Sequence, residues 1–130
     1  MGTSRNTGSD KQTYYKMTQC GSEPDSVRKM AKTLFEGGCV DGDIAMAEAA
    51  GSLRAFYHLV DIGVPFPFNK SGEYVGYKTD HDPLKRGISA GPLTSKYMTE
   101  CLERQAEERG IPLFDGYQAV RLLTEEKDGD

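Results

Sequence analysis

The chain has 130 residues, 37% of them hydrophobic and 28% charged, with a formal net charge of -4. That size suits one compact domain. The acidic balance disfavours a nucleic-acid surface, which needs a dense basic patch. No apolar run reaches bilayer-spanning length and no charged-then-apolar leader opens the chain, so a cytoplasmic protein without a transmembrane segment is expected. Cys20, Cys39 and Cys101 are odd in number and widely spaced, which predicts reduced thiols rather than a disulfide framework. There is no Cys-x-x-Cys, and neither His58 nor His81 has a second histidine at helical spacing, so no metal site is expected. No Ser-His-Asp order, paired carboxylates or P-loop is found, and no catalytic residue is assigned.

The first element in chain order is a polar stretch, Gly2 to Tyr15, rich in Gly, Ser, Thr and Asn. Its composition fits two readings: a loop that wraps a polar ligand through flexible backbone and small hydroxyls, or a loose N-terminal tail. Lys11–Thr18 is predicted as a short helix. Ser22-Glu23-Pro24-Asp25 then reads as a helix start, with Ser22 as N-cap. Val27, Met30, Ala31, Leu34 and Phe35 give the apolar stripe of a helix over 24–36, closed by Gly37-Gly38.

Asp41 or Asp43 can cap the next helix, over 43–62, whose face is read as Met46, Ala50, Leu53, Phe56, Tyr57 and Val60, with alanines allowing close packing. Gly63 ends it, and the prolines of Val64-Pro65-Phe66-Pro67 hold the chain extended. Alternation predicts a strand over 73–79. Residues 80–91 read as loop. Within it, His81 sits between Asp80 and Asp82, acids that would raise its pKa and suit a proton carrier; otherwise it is a loop histidine. Lys85-Arg86 reads as a carboxylate or phosphate grip, or as a solvated pair. His58 reads as packing or surface.

Pro92 opens a helix over 92–109, with Leu93, Tyr97, Met98, Cys101, Leu102 and Ala106 as its stripe. Strands over 111–114 and 117–124 follow, and Glu125–Asp130 reads as a charged hairpin tip. The fold class is therefore α+β: three amphipathic helices with a short β-sheet. Apolar faces left open on such a piece favour association.

Several of these segments, taken in order, resemble an internal part of FAD-dependent oxidoreductases of the fumarate reductase/succinate dehydrogenase flavoprotein family. Gly63-Val64-Pro65-Phe66 is similar to that family's glycine-hydrophobic-Pro-Phe turn after a long helix. Gly91-Pro92-Leu93-Thr94-Ser95-Lys96-Tyr97-Met98 falls at the place of its Asp-x-Thr-Gly helix start. Ile111 to Asp130 resembles the helix–strand–hairpin that follows. Thr3-Ser4-Arg5-Asn6-Thr7-Gly8-Ser9 falls where the family has a Ser/Thr- and Gly-rich flavin-contacting loop.

The resemblance implies one partial FAD-binding-type domain over 1–130, with a flavin-facing loop and short helix in 1–20 and a helix-and-strand core in 21–130. It implies that Thr3, Ser4, Arg5, Asn6, Thr7, Gly8 and Ser9 contact FAD, with Arg5 able to face the electron-rich edge of the ring, where a cation steadies negative charge. Phe66 matches a phenylalanine lining a dicarboxylate pocket; its other reading is a core anchor beside Phe68. The complete parent would move a hydride between flavin and a small unsaturated acid.

The departures limit what carries over. The family's phosphate fingerprint is absent. The opening loop has no histidine, so the FAD would be non-covalent. The arginines and histidines that bind the substrate carboxylates and deliver the proton lie beyond this chain. Both ends read as cut, and the chain alone is expected to be inactive. The other class that fits is a non-enzymatic α+β interaction module with a partner surface near residues 66–77.

Overall fold

The computed structural model describes residues 2–10 and 12–124. The elements are α1 (Thr3–Asn6), β1 (Tyr14–Tyr15), α2 (Val27–Glu36), α3 (Gly42–Asp61), β2 (Gly87–Ile88) and α4 (Thr94–Glu108). The class is α+β. Among the described residues, three long helices accompany one small antiparallel sheet, in which Tyr14 pairs with Ile88 and Tyr15 with Gly87.

The helices start where side chains satisfy their first N–H groups. Asp41 Oδ1 accepts from Asp43 N at 2.9 Å and Ile44 N at 3.1 Å, which opens α3. The α2 cap is Ser26, whose hydroxyl accepts from Lys29 N at 3.2 Å, and not Ser22 as predicted. The reason is Asp25: its carboxylate accepts from Thr18 N and is held by Arg86, so the chain before Ser26 is fixed outside the helix. At the far end of α3, Gly63 adopts φ +99°, a conformation that glycine takes without strain. This turn lets Val64 N bond back to Leu59 O at 3.0 Å, closing the helix.

The α3 stripe is rotated by about one residue from the predicted face. Ala45, Ala49, Ser52, Phe56 and Leu59 are buried, whereas Met46 and Tyr57 are exposed. Small residues win the inner face because α2 packs along it, with Met30 and Ala31 against Ala45 and Ala49. The second cluster joins Phe56, Leu59, Ile62, Val64, Phe66, Ile88 and Cys101, tying α3, the post-helix turn, β2 and α4 together. All three cysteines are free thiols.

The predicted strands are corrected. Residues 73–79 contribute one isolated bridge, Tyr77 to Gly87, because Val75 N turns back to Glu73 O and the Asn69 side chain takes the Glu73 N–H. Residues 111–114 and 117–124 form no helix, and have no strand partner among the described residues. The predicted helix at Lys11–Thr18 gives way to β1 because the two tyrosines serve opposite sides: Tyr14 packs on Phe56 and Phe66, and Tyr15 reaches Asp82. The predicted tip at 125–130 lies outside the described residues.

Gly76 marks the closest backbone approach. A Cβ there would fall 2.3 Å from Lys85 O and 2.7 Å from Gly87 O. Both are main-chain atoms, so the strand crossing would have to part. Gly76→Ala is expected to destabilise the fold by about 1–3 kcal/mol in denaturant unfolding, a typical range for overpacking.

Candidate functional site

The polar opening stretch is built into the fold. Residues Thr3–Asn6 form one helical turn, with Thr7 N and Thr7 Oγ1 both donating to Thr3 O at 3.0 Å. That turn packs on α4. Arg5 lies half-buried between the two elements, paired with Glu103 and, at 3.6 Å, with Glu100. Asn6 Nδ2 donates to Gly2 O at 3.3 Å, and Gln12 Nε2 donates to Thr7 O at 3.2 Å.

The start of α4 is an equally defined turn. Thr94 is buried, and its hydroxyl donates to Gly91 O at 2.6 Å while accepting from Ala90 N at 2.9 Å. Ser89 Oγ accepts from Gly91 N at 3.0 Å. The helix itself begins at Thr94, not at Pro92, because this hydroxyl network holds residues 89–93 in a turn.

These two turns meet. Ser9 N donates to Pro92 O at 2.9 Å, and Ser95 N donates to Gln12 Oε1 at 2.9 Å. Gly8 lies so close that a Cβ would stand 3.2 Å from Leu93 Cδ2. The opening segment and the Gly91–Ser95 turn, some 80 residues apart in sequence, are thus held against each other by hydrogen bonds. Beside it is a hollow of about 320 Å³ lined by Gly2, Ser4, Arg5, Thr99 and Glu103.

Comparison with protein-family models, curated proteins and solved structures finds no match. The site is therefore judged on its own chemistry. Of the residues expected to contact FAD, Thr3 and Ser4 are the ones whose side chains stay open among the described residues. Thr3 and Ser4 hydroxyls make no hydrogen bond among the described residues, and both residues are exposed. Asn6 and Thr7 are turned toward their own backbone, and Arg5 already faces two carboxylates. Phe66 lies elsewhere, buried in the core with its ring 5.0 Å from Phe56 and 5.9 Å from Tyr14. Its exposed neighbour is Phe68.

A second cluster was missed in the sequence. Arg86, read there as half of a grip or a solvated pair, is buried, while Lys85 is exposed. Its Nε and Nη2 donate to the two oxygens of Asp25 at 2.8 and 2.7 Å, a two-pronged pair. Its Nη1 donates to Thr33 Oγ1 at 2.9 Å and Tyr15 Oη at 3.2 Å, and lies 3.4 Å from Asp82 Oδ1. Burial works against the charges of both Arg86 and Asp25, but their mutual bonds outweigh it: the arginine pKa is raised and the Asp25 pKa lowered. Burial, with the bond to Asp82, pushes the Tyr15 phenol up to about 12. Burial alternates from Asp82 to Arg86, with Pro83 and Lys85 exposed, and Gly87 and Ile88 are both buried.

Tyr15, Thr33 and Asp82 also line an open hollow of about 420 Å³, with His81 on its wall. His81 is exposed and left-handed at φ 69°. His58 is exposed on α3. No group of three or more metal-ligating side chains gathers among the described residues, and none of the described helices is long and apolar enough to cross a membrane.

Proposed function

We propose that this chain is a segment of an FAD-dependent oxidoreductase of the fumarate reductase/succinate dehydrogenase flavoprotein type, working in the cytoplasm. It supplies one wall of a non-covalent flavin site. The complete enzyme would move a hydride between flavin and a small unsaturated acid, the flavin supplying the redox chemistry. The observation that carries this reading is the meeting of Thr3–Ser9 with Gly91–Ser95. Two separate stretches resemble that family's cofactor-side elements, and they lie against each other through main-chain and amide hydrogen bonds.

In this reading, Thr3 and Ser4 offer hydroxyls to the cofactor. Gly8 permits close approach of the opening segment to the α4 turn, because any side chain there would press on Leu93. Arg5 holds the opening turn on α4 through Glu100 and Glu103, a positioning role, and its charge is largely offset by those carboxylates. No Gly-x-Gly-x-x-Gly occurs in the 130 residues, so this chain brings no glycine-rich cradle for the pyrophosphate.

One wall gives weak binding. The purified chain is expected to show no flavin absorption band and to bind added FAD in equilibrium dialysis with a Kd of about 1 mM, equivalent to roughly 4 kcal/mol. A yellow protein holding stoichiometric FAD would contradict the one-wall assignment. Absence of any saturable FAD binding would contradict the flavin assignment itself.

A further inference from the structure

Beyond α4 the chain leaves the body of the protein. Ile111 N still bonds to Ala106 O at 3.0 Å, but every residue from Ile111 to Thr124 is exposed. Leu113, Phe114, Tyr117, Val120, Leu122 and Leu123 are all more than 60% exposed. The ring of Phe114 meets Tyr117 edge-on at 5.8 Å across the Asp115-Gly116 turn. Residues 117–124 form no helix or turn, and their sequence reads as a strand.

In an extended chain, alternate side chains point to opposite faces. Val120 and Leu122 then fall on one face, and Tyr117 and Leu123 on the other. Arg121 shares the second face and Gln118 and Thr124 the first, yet a strand with large apolar side chains on both faces is costly to leave in water. We infer that this arm is an assembly element, which pairs main chain to main chain with the arm of a second copy of this chain and packs its side chains on that copy.

Area and charge favour a second copy. The six side chains together leave on the order of 700 Å² open on each arm, taking about 150 Å² or more for each large side chain. Two arms reach roughly 1,400 Å², within the range of about 1,200–2,000 Å² that stable specific interfaces bury. The only charges between Ile111 and Thr124 are Asp115 and Arg121, one of each sign, so two arms meet without net repulsion although the chain carries -4. A two-fold arrangement closes on itself by pairing one main-chain edge of each arm with the other.

The test combines light-scattering mass with amide hydrogen exchange on the full chain across a dilution series, for the native sequence and for the double substitution Val120→Asp with Leu122→Asp. Both sites are exposed, so the substitutions leave the helical body folded, which far-ultraviolet circular dichroism verifies. The expected result is a dimer that dissociates on dilution, with protected amides in 117–124, and loss of both in the double variant. A monomer with unprotected 117–124 amides at the highest concentration would overturn the inference. So would a dimer that survives the double substitution, or open-ended larger species in place of a dimer. The readout needs no flavin, so its outcome is separate from that of the FAD measurements.

Discussion

Replacing Arg86 by alanine is expected to destabilise the fold by about 3–5 kcal/mol, the range for breaking a buried ion pair from one side. The Arg86, Asp25 and Asp82 side chains are 1%, 0% and 3% exposed. Removing the guanidinium strands two carboxylates away from water and frees the Tyr15 and Thr33 hydroxyls from their shared donor. It also unties three parts of the chain at once: the lead-in to α2, the Asp82 turn and β1. Arg86→Lys keeps the charge but not the two-pronged geometry, and should fall between the native protein and the alanine variant.

The pH dependence separates this from simple loss of packing. In the native protein the folded Asp25 pKa lies below its unfolded value. Its contribution is therefore present above the unfolded value, about 3.9, and is lost as pH falls through the lower folded value. In Arg86→Ala the same carboxylate is buried without a cation, so its folded pKa rises above the unfolded value and stability is lost as pH rises. The gap between the two proteins should be widest near neutral pH and should narrow below about pH 4. A gap independent of pH in urea unfolding would contradict this ion-pair account.

Phe56→Ala is the second large loss expected, at about 3–5 kcal/mol. The Phe56 side chain is fully buried, with ring centroids of Phe66, Tyr74, Tyr57 and Tyr14 at 5.0, 5.2, 5.5 and 5.9 Å. The Lys16 ammonium lies 4.8 Å from its ring centre, and Lys16 is itself only 2% exposed. Truncation would open a cavity where α3, β1 and the post-helix turn meet, and would take away the ring face beneath a buried cation. Burial already lowers the Lys16 pKa, and loss of the aromatic face removes a compensating attraction. Phe56→Leu, which refills much of the volume, should cost markedly less. Thermal unfolding of the two variants side by side distinguishes the ring contacts from volume alone.

The long helices were legible because each carries its own evidence. Predicted spans of 24–36, 43–62 and 92–109 became 27–36, 42–61 and 94–108, since 3.6-residue periodicity and Asp41 are local features. The sheet was less legible because pairing is not local. Tyr14-Tyr15 forms a strand only because Gly87-Ile88 lies beside it, and the β-like patterns at 73–79 and 117–124 lack continuous partners among the described residues. Arg86 was missed for the same reason, as its main partner, Asp25, is 61 residues away. In the candidate site, Thr3–Ser9 and Gly91–Ser95 were each visible in the sequence. What no pattern could supply was their contact through Ser9, Gln12, Pro92 and Ser95.

That contact is central to the functional proposal, and amide chemical-shift mapping during an FAD titration tests it most directly. Saturable shifts are expected at Thr3–Ser9 and Gly91–Ser95 together, with little change around Asp25, His81 and Arg86. Shifts centred on the Tyr15–Asp82 hollow, or confined to only one of the two converging segments, would contradict a flavin wall built from both.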